Sequence, residues 1–296
     1  MGMENLFLTS EGFYEWFNKN KPQIISHRLY FKKSNPSNPT ENSINAIKYL
    51  LSNLPSNTKI IVETDIRKAP QSPHSFEDGI FISHDAIIKD ISGYQYDTEK
   101  MPIEEIQEIQ LADHQNIPLY SDFIHHIYQI AREKNQKVLI NVEAKTEDCM
   151  QNIIEESLKM AKEIPGFSNA IRLVPSSFNR LNMIDYHLNF PDKPAMLLID
   201  DEEIESGSWV QKEGLIQDIH VPSVGLSVNA LLSPQFSKKT QAILTQVALN
   251  KKGITVFTVN TIDTLNALKT KCQQHDIPLY AVFSDEYSTL ISGQNV

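Results

Sequence analysis

Four short stretches hold the residues best suited to chemistry: His27-Arg28, Glu63-Thr64-Asp65, His84-Asp85 and Glu143-Ala144-Lys145. Each follows a short apolar run rich in Ile or Val, respectively Ile24-Ile25-Ser26, Ile60-Ile61-Val62, Ile80-Phe81-Ile82-Ser83 and Val138 to Val142. Strand side chains alternate with period two, so Glu63 shares a face with Asp65, and Glu143 with Lys145. If that face turns inward, three carboxylates meet in a small space. They must then protonate, pair with cations or bind a metal ion. An all-oxygen set suits Mg²⁺ or Ca²⁺ better than Zn²⁺. The competing arrangement is an ion-pair network in which Lys145 and Arg28 neutralise Glu143 and Glu63. Spacing alone leaves both open.

Of nine histidines, His125 and His126 fall on an amphipathic helical pattern, and His187, His220 and His275 lie near loops or helix ends. His27 and His84 differ, because each follows a strand and sits beside a charged residue. Two histidines flanking a metal-bound phosphate can supply one base and one acid near neutral pH.

The elements that must position these groups follow a regular cadence. Four more apolar runs, Ile171 to Val174, Ala195 to Ile199, Val224 to Val228 and Ile254 to Val259, precede a last one at Tyr280 to Phe283. With the runs at Ile24, Ile60 and Val138 they make eight, apolar on both faces as strands of a covered parallel sheet are. Helical spacing fills most intervals: Ile44, Ile47, Leu50, Leu51 and Leu54; Ile153, Ile154, Leu158 and Ala161; Phe236, Ile243, Leu244 and Val247; and Leu265, Leu268 and Cys272. Ser233-Pro234 reads as a cap and a first-turn proline for the third of these. Eight βα units predict an α/β fold of the (β/α)8 TIM-barrel kind, with an open doubly wound sheet as the competitor. From Ile60 to Val138 there are 78 residues, too many for one helix. Asp78 to Asp85 reads as a turn and short strand, and Ile117-Pro118 introduces a helix bearing Phe123, Ile124, Ile127, Ile130 and Ala131. We expect one domain over 1–296, with a barrel core over about 23–286. A small insertion subdomain, about 67–115, would follow the second strand at the barrel mouth.

Composition narrows the function classes. Twenty-seven Lys plus Arg against 37 Asp plus Glu give a formal charge of −10, and 41% hydrophobic content is that of a globular chain. An acidic pI of about 5.4 gives no general attraction to nucleic acid or anionic lipid. The two cysteines, Cys149 and Cys272, make no disulfide scaffold. No apolar run reaches the ~18 to 20 residues of a membrane span. The stretch Met1 to Trp16, with Glu4 and Glu11 and no basic leader, predicts a cytoplasmic chain or one exported without a classical signal peptide. Nothing assigns an oligomer.

The ordered series His27-Arg28, Glu41-Asn42-Ser43, Glu63-Thr64-Asp65, His84-Asp85, Glu143-Ala144-Lys145 and Thr258-Val259-Asn260 resembles the glycerophosphodiester phosphodiesterase family. Asp78-Gly79, Ile117-Pro118-Leu119 and the closing Ser284-Asp285 also match, so the resemblance runs from about Gln23 to Glu286. It implies a metal-dependent phosphodiesterase that cleaves glycerophosphodiesters to sn-glycerol 3-phosphate and an alcohol. By that analogy Glu63, Asp65 and Glu143 hold one divalent cation, Ca²⁺ or Mg²⁺. Arg28 and Lys145 bind the phosphate, His27 and His84 form the acid–base pair, and Glu41 and Asn42 sit near His27. The chain departs from the family at several points. Leu29 replaces a glycine, which excludes the same loop path if φ there must be positive. The loop Tyr30 to Thr40, with Lys32, Lys33, Pro36 and Pro39, is long, and Lys68 to Glu77 is expanded. Phe257 stands where Trp is common. Two alternatives remain. A lysophospholipase D or sphingomyelinase D-like enzyme would need an apolar groove for a lysophospholipid chain, which Leu29, Tyr30 and Phe31 would begin. An inactive barrel would bind a phosphorylated ligand without turnover.

Overall fold

Runs of Ile and Val place branched side chains on both faces of a strand, and such strands are stable only when covered on both sides. The computed structural model describes residues 6–18, 21–29, 39–70 and 79–293. In chain order its strands are β1 (Gln23–Ser26), β2 (Lys59–Lys68), β3 (Ile80–Ile82), β4 (Ile87–Lys89), β5 (Gln95–Asp97), β6 (Lys137–Ala144), β7 (Ile171–Ser177), β8 (Met196–Leu198), β9 (Ser223–Ser227), β10 (Gly253–Phe257) and β11 (Leu279–Ser284). Strands β1, β2 and β6 to β11 pair in parallel. Strand β1 meets β11 on one side and β2 on the other, through Ser26↔Ser284 and Ser26↔Val62. The sheet is therefore closed, a (β/α)8 barrel, and the open doubly wound sheet is excluded.

Two apolar layers follow from the alternation. Val62, Val138, Ile140, Val142, Leu173 and Val256 face the surrounding helices. Ile25, Ile61, Leu139, Val174, Met196 and Phe283 fill the barrel interior. The interior layer is closed from below by a segment that the periodicity did not reveal. Thr9 caps the helix Ser10–Trp16 by accepting from the Gly12 N–H at 3.0 Å. Phe13 and Phe17, stacked at 4.4 Å, then pack with Tyr280.

Gly253, which opens β10, shows how tight this floor is. A Cβ there would lie 2.1 Å from the buried Tyr280 ring. Gly253→Ala should destabilise the protein by about 1–3 kcal/mol, the usual range for overpacking, with a lower midpoint in urea unfolding as the readout. An unchanged midpoint would mean that the ring has room to move.

Several element ends differ from the sequence expectation. Strand β9 stops at Ser227, not Val228, because the Ser227 hydroxyl accepts from the Ala230 N–H and caps the helix Val228–Leu232. Strand β10 stops at Phe257, two residues before Val259. Ser233 makes no side-chain cap bond; Pro234–Phe236 forms a 3-10 turn and the helix proper begins at Ser237.

Between β2 and the helix Tyr120–Glu133, β2 continues through Lys68 and β3 returns antiparallel to it, with Ile66↔Ile82 and Lys68↔Ile80. The β4–β5 hairpin follows. Ala69, Phe81, Ile88, Ile106, Ile109 and Ile117 form a small separate core under these elements. Tyr30 to Asn38 and Gln71 to Asp78 lie outside the described residues, and with them most of the two stretches expected to be long. Among the described residues no helix is long and apolar enough to cross a membrane.

Candidate active site

The two longest barrel strands carry the acidic groups. Strands β2 and β6 pair without a break from Lys59↔Lys137 to Ile66↔Ala144, which sets Asp65 directly opposite Glu143. Ile61 and Leu139 point into the barrel, and period two carries Glu63, Asp65 and Glu143 to the same side above them. All three are buried, Glu63 and Asp65 to 1% exposure, and each offers an oxygen within 4.8 Å of the others.

Both cations expected to neutralise this group are present. Lys145 Nζ lies 3.0 Å from Asp65 Oδ1 and also pairs with Glu143. Arg28 Nε is 3.4 Å from Asp65 Oδ2, and its Nη1 is 3.4 Å from Glu41 Oε1. Glu63 is different. One oxygen accepts the backbone N–H of Arg28 at 2.8 Å, and Oε1 is buried with no hydrogen-bond partner among the described residues. Burial, then Asp65 and Glu143, push the Glu63 carboxyl well above its ordinary range. Burial also raises Glu143, against the pull of Lys145. Asp65 alone is lowered, because Lys145 and Arg28 outweigh its burial. An orphaned buried carboxylate oxygen beside two further carboxylates is a donor set that fits a hard divalent cation. The ion-pair network and a donor set suited to a cation thus coexist, since the network engages Asp65 and Glu143 and leaves Glu63 Oε1 without a hydrogen-bond partner.

The turn after β1 brings in Arg28. Arg28 and Leu29 both have φ near +52°, the left-handed region. The expectation that leucine in place of glycine would bar this path is therefore wrong. Such a conformation costs a non-glycine residue roughly 1–2 kcal/mol, and three contacts offset it. The Arg28 N–H is bound by Glu63, its carbonyl accepts from the Asn42 N–H at 2.8 Å, and the Leu29 side chain is wholly buried in the outer core. For the same reason Leu29 cannot line a groove for an acyl chain. Tyr30 and Phe31 lie outside the described residues. Asn42, itself at φ +55°, donates to Asp65 Oδ2 at 3.0 Å and accepts from Thr64 Oγ1 at 2.9 Å.

Each of the two singled-out histidines has its Nδ1 beside a carboxylate. His27 Nδ1 is 2.8 Å from Asp285 Oδ1, and His84 Nδ1 is 2.6 Å from Asp85 Oδ1. A ring nitrogen held this way leaves Nε2 as the one free to exchange a proton. The two settings are unequal. Asp285 is clamped by Asn260, whose amide donates to Oδ2 at 3.1 Å while its oxygen accepts the Asp285 N–H at 2.9 Å. Burial opposes ionisation of Asp285, but the bond to His27 and its charge outweigh it and hold the carboxyl low. Asp85 is 71% exposed. His84 is lowered by burial, then by Lys145, with Asp65 opposing. Its carbonyl accepts from Arg67 Nε at 3.0 Å, which ties the β3 exit to β2. Asp285 and Asn260 were visible in the sequence only as pieces of a motif, and a carboxylate directly after β11 was the signal of a fourth acidic strand end.

The described residues therefore form a (β/α)8 barrel with a buried carboxylate cluster, two basic side chains and two carboxylate-held histidines around β1, β2, β3, β6 and β11. No protein-family model matches this chain, and neither does any curated protein sequence. Solved structures do. A phosphodiesterase of Oleispira antarctica, in complex with the product sn-glycerol-3-phosphate, is 19% identical, covers 96% of this chain and 99% of its own, and superposes with a TM-score of 0.64. A glycerophosphodiester phosphodiesterase of Thermotoga maritima is 19% identical, with coverage of 92% and 98% and a TM-score of 0.60. One from Parabacteroides distasonis is 15% identical, with 93% and 98% covered and a TM-score of 0.56. At such identities the likeness establishes the fold. The fold is the one that the motif resemblance implied.

Proposed function

We propose that this chain is a metal-dependent phosphodiesterase that hydrolyses glycerophosphodiesters to sn-glycerol 3-phosphate and an alcohol. The observation that carries this reading is the buried Glu63–Asp65–Glu143 cluster with an unpartnered Glu63 oxygen, set beside Arg28 and Lys145 and flanked by His27 and His84. Its support from outside the chain is the named activity of the similar structures and the product bound in one of them.

Glu63, Asp65 and Glu143 would hold one Ca²⁺ or Mg²⁺, which when bound supplies positive charge to a phosphoryl oxygen and the attacking oxygen. Arg28 and Lys145 add fixed positive charge, held in place before substrate arrives by Glu41, Asp65 and Glu143. His27, steadied by Asp285, takes the nucleophile's proton on Nε2. His84 delivers a proton to the leaving alkoxide. The nucleophile is either the substrate's own 2-hydroxyl or water.

A pH profile separates these roles. The His84 pKa is lowered, so its charged form is lost early as pH rises. If His84 is the acid, kcat should fall on an alkaline limb placed below the ordinary imidazole range, and His84→Ala should remove that limb. A rate that instead climbs through this region in wild type but not in His84→Ala would make His84 the base.

The founding test is turnover of glycerophosphocholine and lysophosphatidylcholine with Mg²⁺, Ca²⁺ or excess EDTA, products read by mass spectrometry. Metal-dependent glycerol 3-phosphate from the first substrate is the expected result. Lysophosphatidic acid or its cyclic form, from the second only, would move the chain to the lipid-cleaving class. No product with any metal would sink the enzymatic reading in favour of a phospho-ligand binder.

A further inference from the structure

We infer that Asp113, within the insertion, is a positioning residue for the phosphate- and cation-facing groups at the barrel mouth, an inference that rests on the reading of that mouth given above. Asp113 is far from the three carboxylates in sequence and is not among the strand-end residues. Its Oδ2 nonetheless accepts from the Thr40 N–H at 3.3 Å, Ser43 Oγ at 3.0 Å and Asn45 Nδ2 at 3.2 Å. Three donors from one six-residue stretch thus converge on a single carboxylate oxygen, which makes charge-assisted bonds stronger than neutral ones.

That stretch is the one bearing Glu41 and Asn42. Glu41 holds the Arg28 guanidinium, and Asn42 bonds both Asp65 and the Arg28 carbonyl. Asn42 does so from a left-handed backbone, so its place depends on the neighbours that fix the loop. Ser43 has a double part, since its hydroxyl donates to Asp113 and accepts the Ala46 N–H that starts the helix Ile44–Asn53.

The other side of the link is equally fixed. Asp113 stands in a tight turn closed by Leu111 N–H to Gln115 O at 2.7 Å and by the Gln110↔Asn116 bridge, and its Oδ1 accepts the Gln115 N–H at 3.4 Å. Gln110 accepts the Ile91 N–H from the β4–β5 hairpin, while Ile109 and Ile117 are buried in the insertion's own core. The insertion is therefore a brace: its core holds Asp113, Asp113 holds Thr40 to Asn45, and those residues hold Arg28 and Asp65.

The test compares Asp113→Ala and Asp113→Asn with Thr9→Ala, which removes a helix cap at the opposite end of the barrel. Side chains bonded directly to metal ligands commonly contribute about 10- to 100-fold. Asp113→Ala, one link further out than such a partner, should weaken binding of inorganic phosphate in the presence of Ca²⁺, measured by calorimetry, by up to about 10-fold. It should also lower kcat/KM for glycerophosphocholine, chiefly through KM. Asp113→Asn, which keeps an acceptor oxygen, should recover part of both. Thr9→Ala should lower Tm without changing either. An Asp113→Ala protein that loses Tm but binds phosphate and turns over substrate like wild type overturns the inference. If wild type cleaves no phosphodiester, the functional reading fails separately, and phosphate binding alone decides for or against Asp113.

Discussion

His27→Ala and His84→Ala should each lower kcat by about 10²-fold or more, the usual contribution of a positioned acid or base. Arg28 and Lys145 would still hold the phosphate, so KM should change much less than kcat. The double variant should be little worse than the poorer single one if both protons move in one rate-limiting step. Neither change should unfold the protein, because neither imidazole is fully buried and their partners are a clamped Asp285 and an exposed Asp85. Losses of only two- or three-fold would remove both histidines from the chemistry. A large loss at His27 alone would leave proton delivery to water at the His84 side. Asp285→Asn sharpens the distinction. It keeps the shape of the clamp but no longer rewards the Nδ1–H tautomer, so it should copy part of the His27→Ala defect and leave His84 untouched.

Of the groups just argued, all but His84, which follows the antiparallel β3, were legible before the structure because of how a barrel is built. Closure sends the end of every parallel strand to one rim, so a polar residue directly after an Ile/Val run is already placed. Period two then fixes which of Glu63, Thr64 and Asp65 face inward, and the structure buries Glu63 and Asp65 beside Glu143. What stayed hidden lacks that logic. The Phe13–Phe17 floor precedes the first strand, and a seven-residue helix shows too little periodicity to announce a partner. The left-handed Leu29 was misjudged because local propensity disfavours it, whereas burial of its side chain and the bonds to Arg28 decide the matter. The same burial removes Leu29 from the apolar groove suggested by its neighbours. Asn260 and Asp285 are 25 residues apart and meet only through the β10–β11 pairing. Asp113 had no pattern at all, since loop contacts follow the path of the chain between β5 and the helix Tyr120–Glu133 rather than any period.

Glu63→Gln should separate stability from function, with opposite signs. In the metal-free protein Glu63 adds a third carboxylate to a pocket whose two cations are engaged by Asp65, Glu143 and Glu41. Its carboxyl is raised by burial and by the neighbouring acids, so folding favours its protonated form. The contribution of such a group is complete below the unfolded-state pKa and is lost as pH rises through the folded one. Wild type in EDTA should therefore lose Tm over that interval, while Glu63→Gln, neutral at position 63 and still able to accept from the Arg28 N–H, should lose less, keeping only the part that comes from the raised Glu143 carboxyl. With Ca²⁺ or Mg²⁺ the order reverses. Wild type gains stability in proportion to RT ln(1 + [L]/Kd), whereas the variant lacks the oxygen charge that would bind the ion and should show little metal-dependent shift. Activity should fall by about 10²- to 10³-fold, comparable to removing one preorganised electrostatic partner of a transition state. A variant that still shifts with metal as wild type does would mean that Glu63 is only a structural acceptor for Arg28. A variant less stable than wild type in EDTA at every pH would mean that the carboxylate is balanced by the ion pairs already there, and that the cluster is a salt-bridge network with no place for a cation.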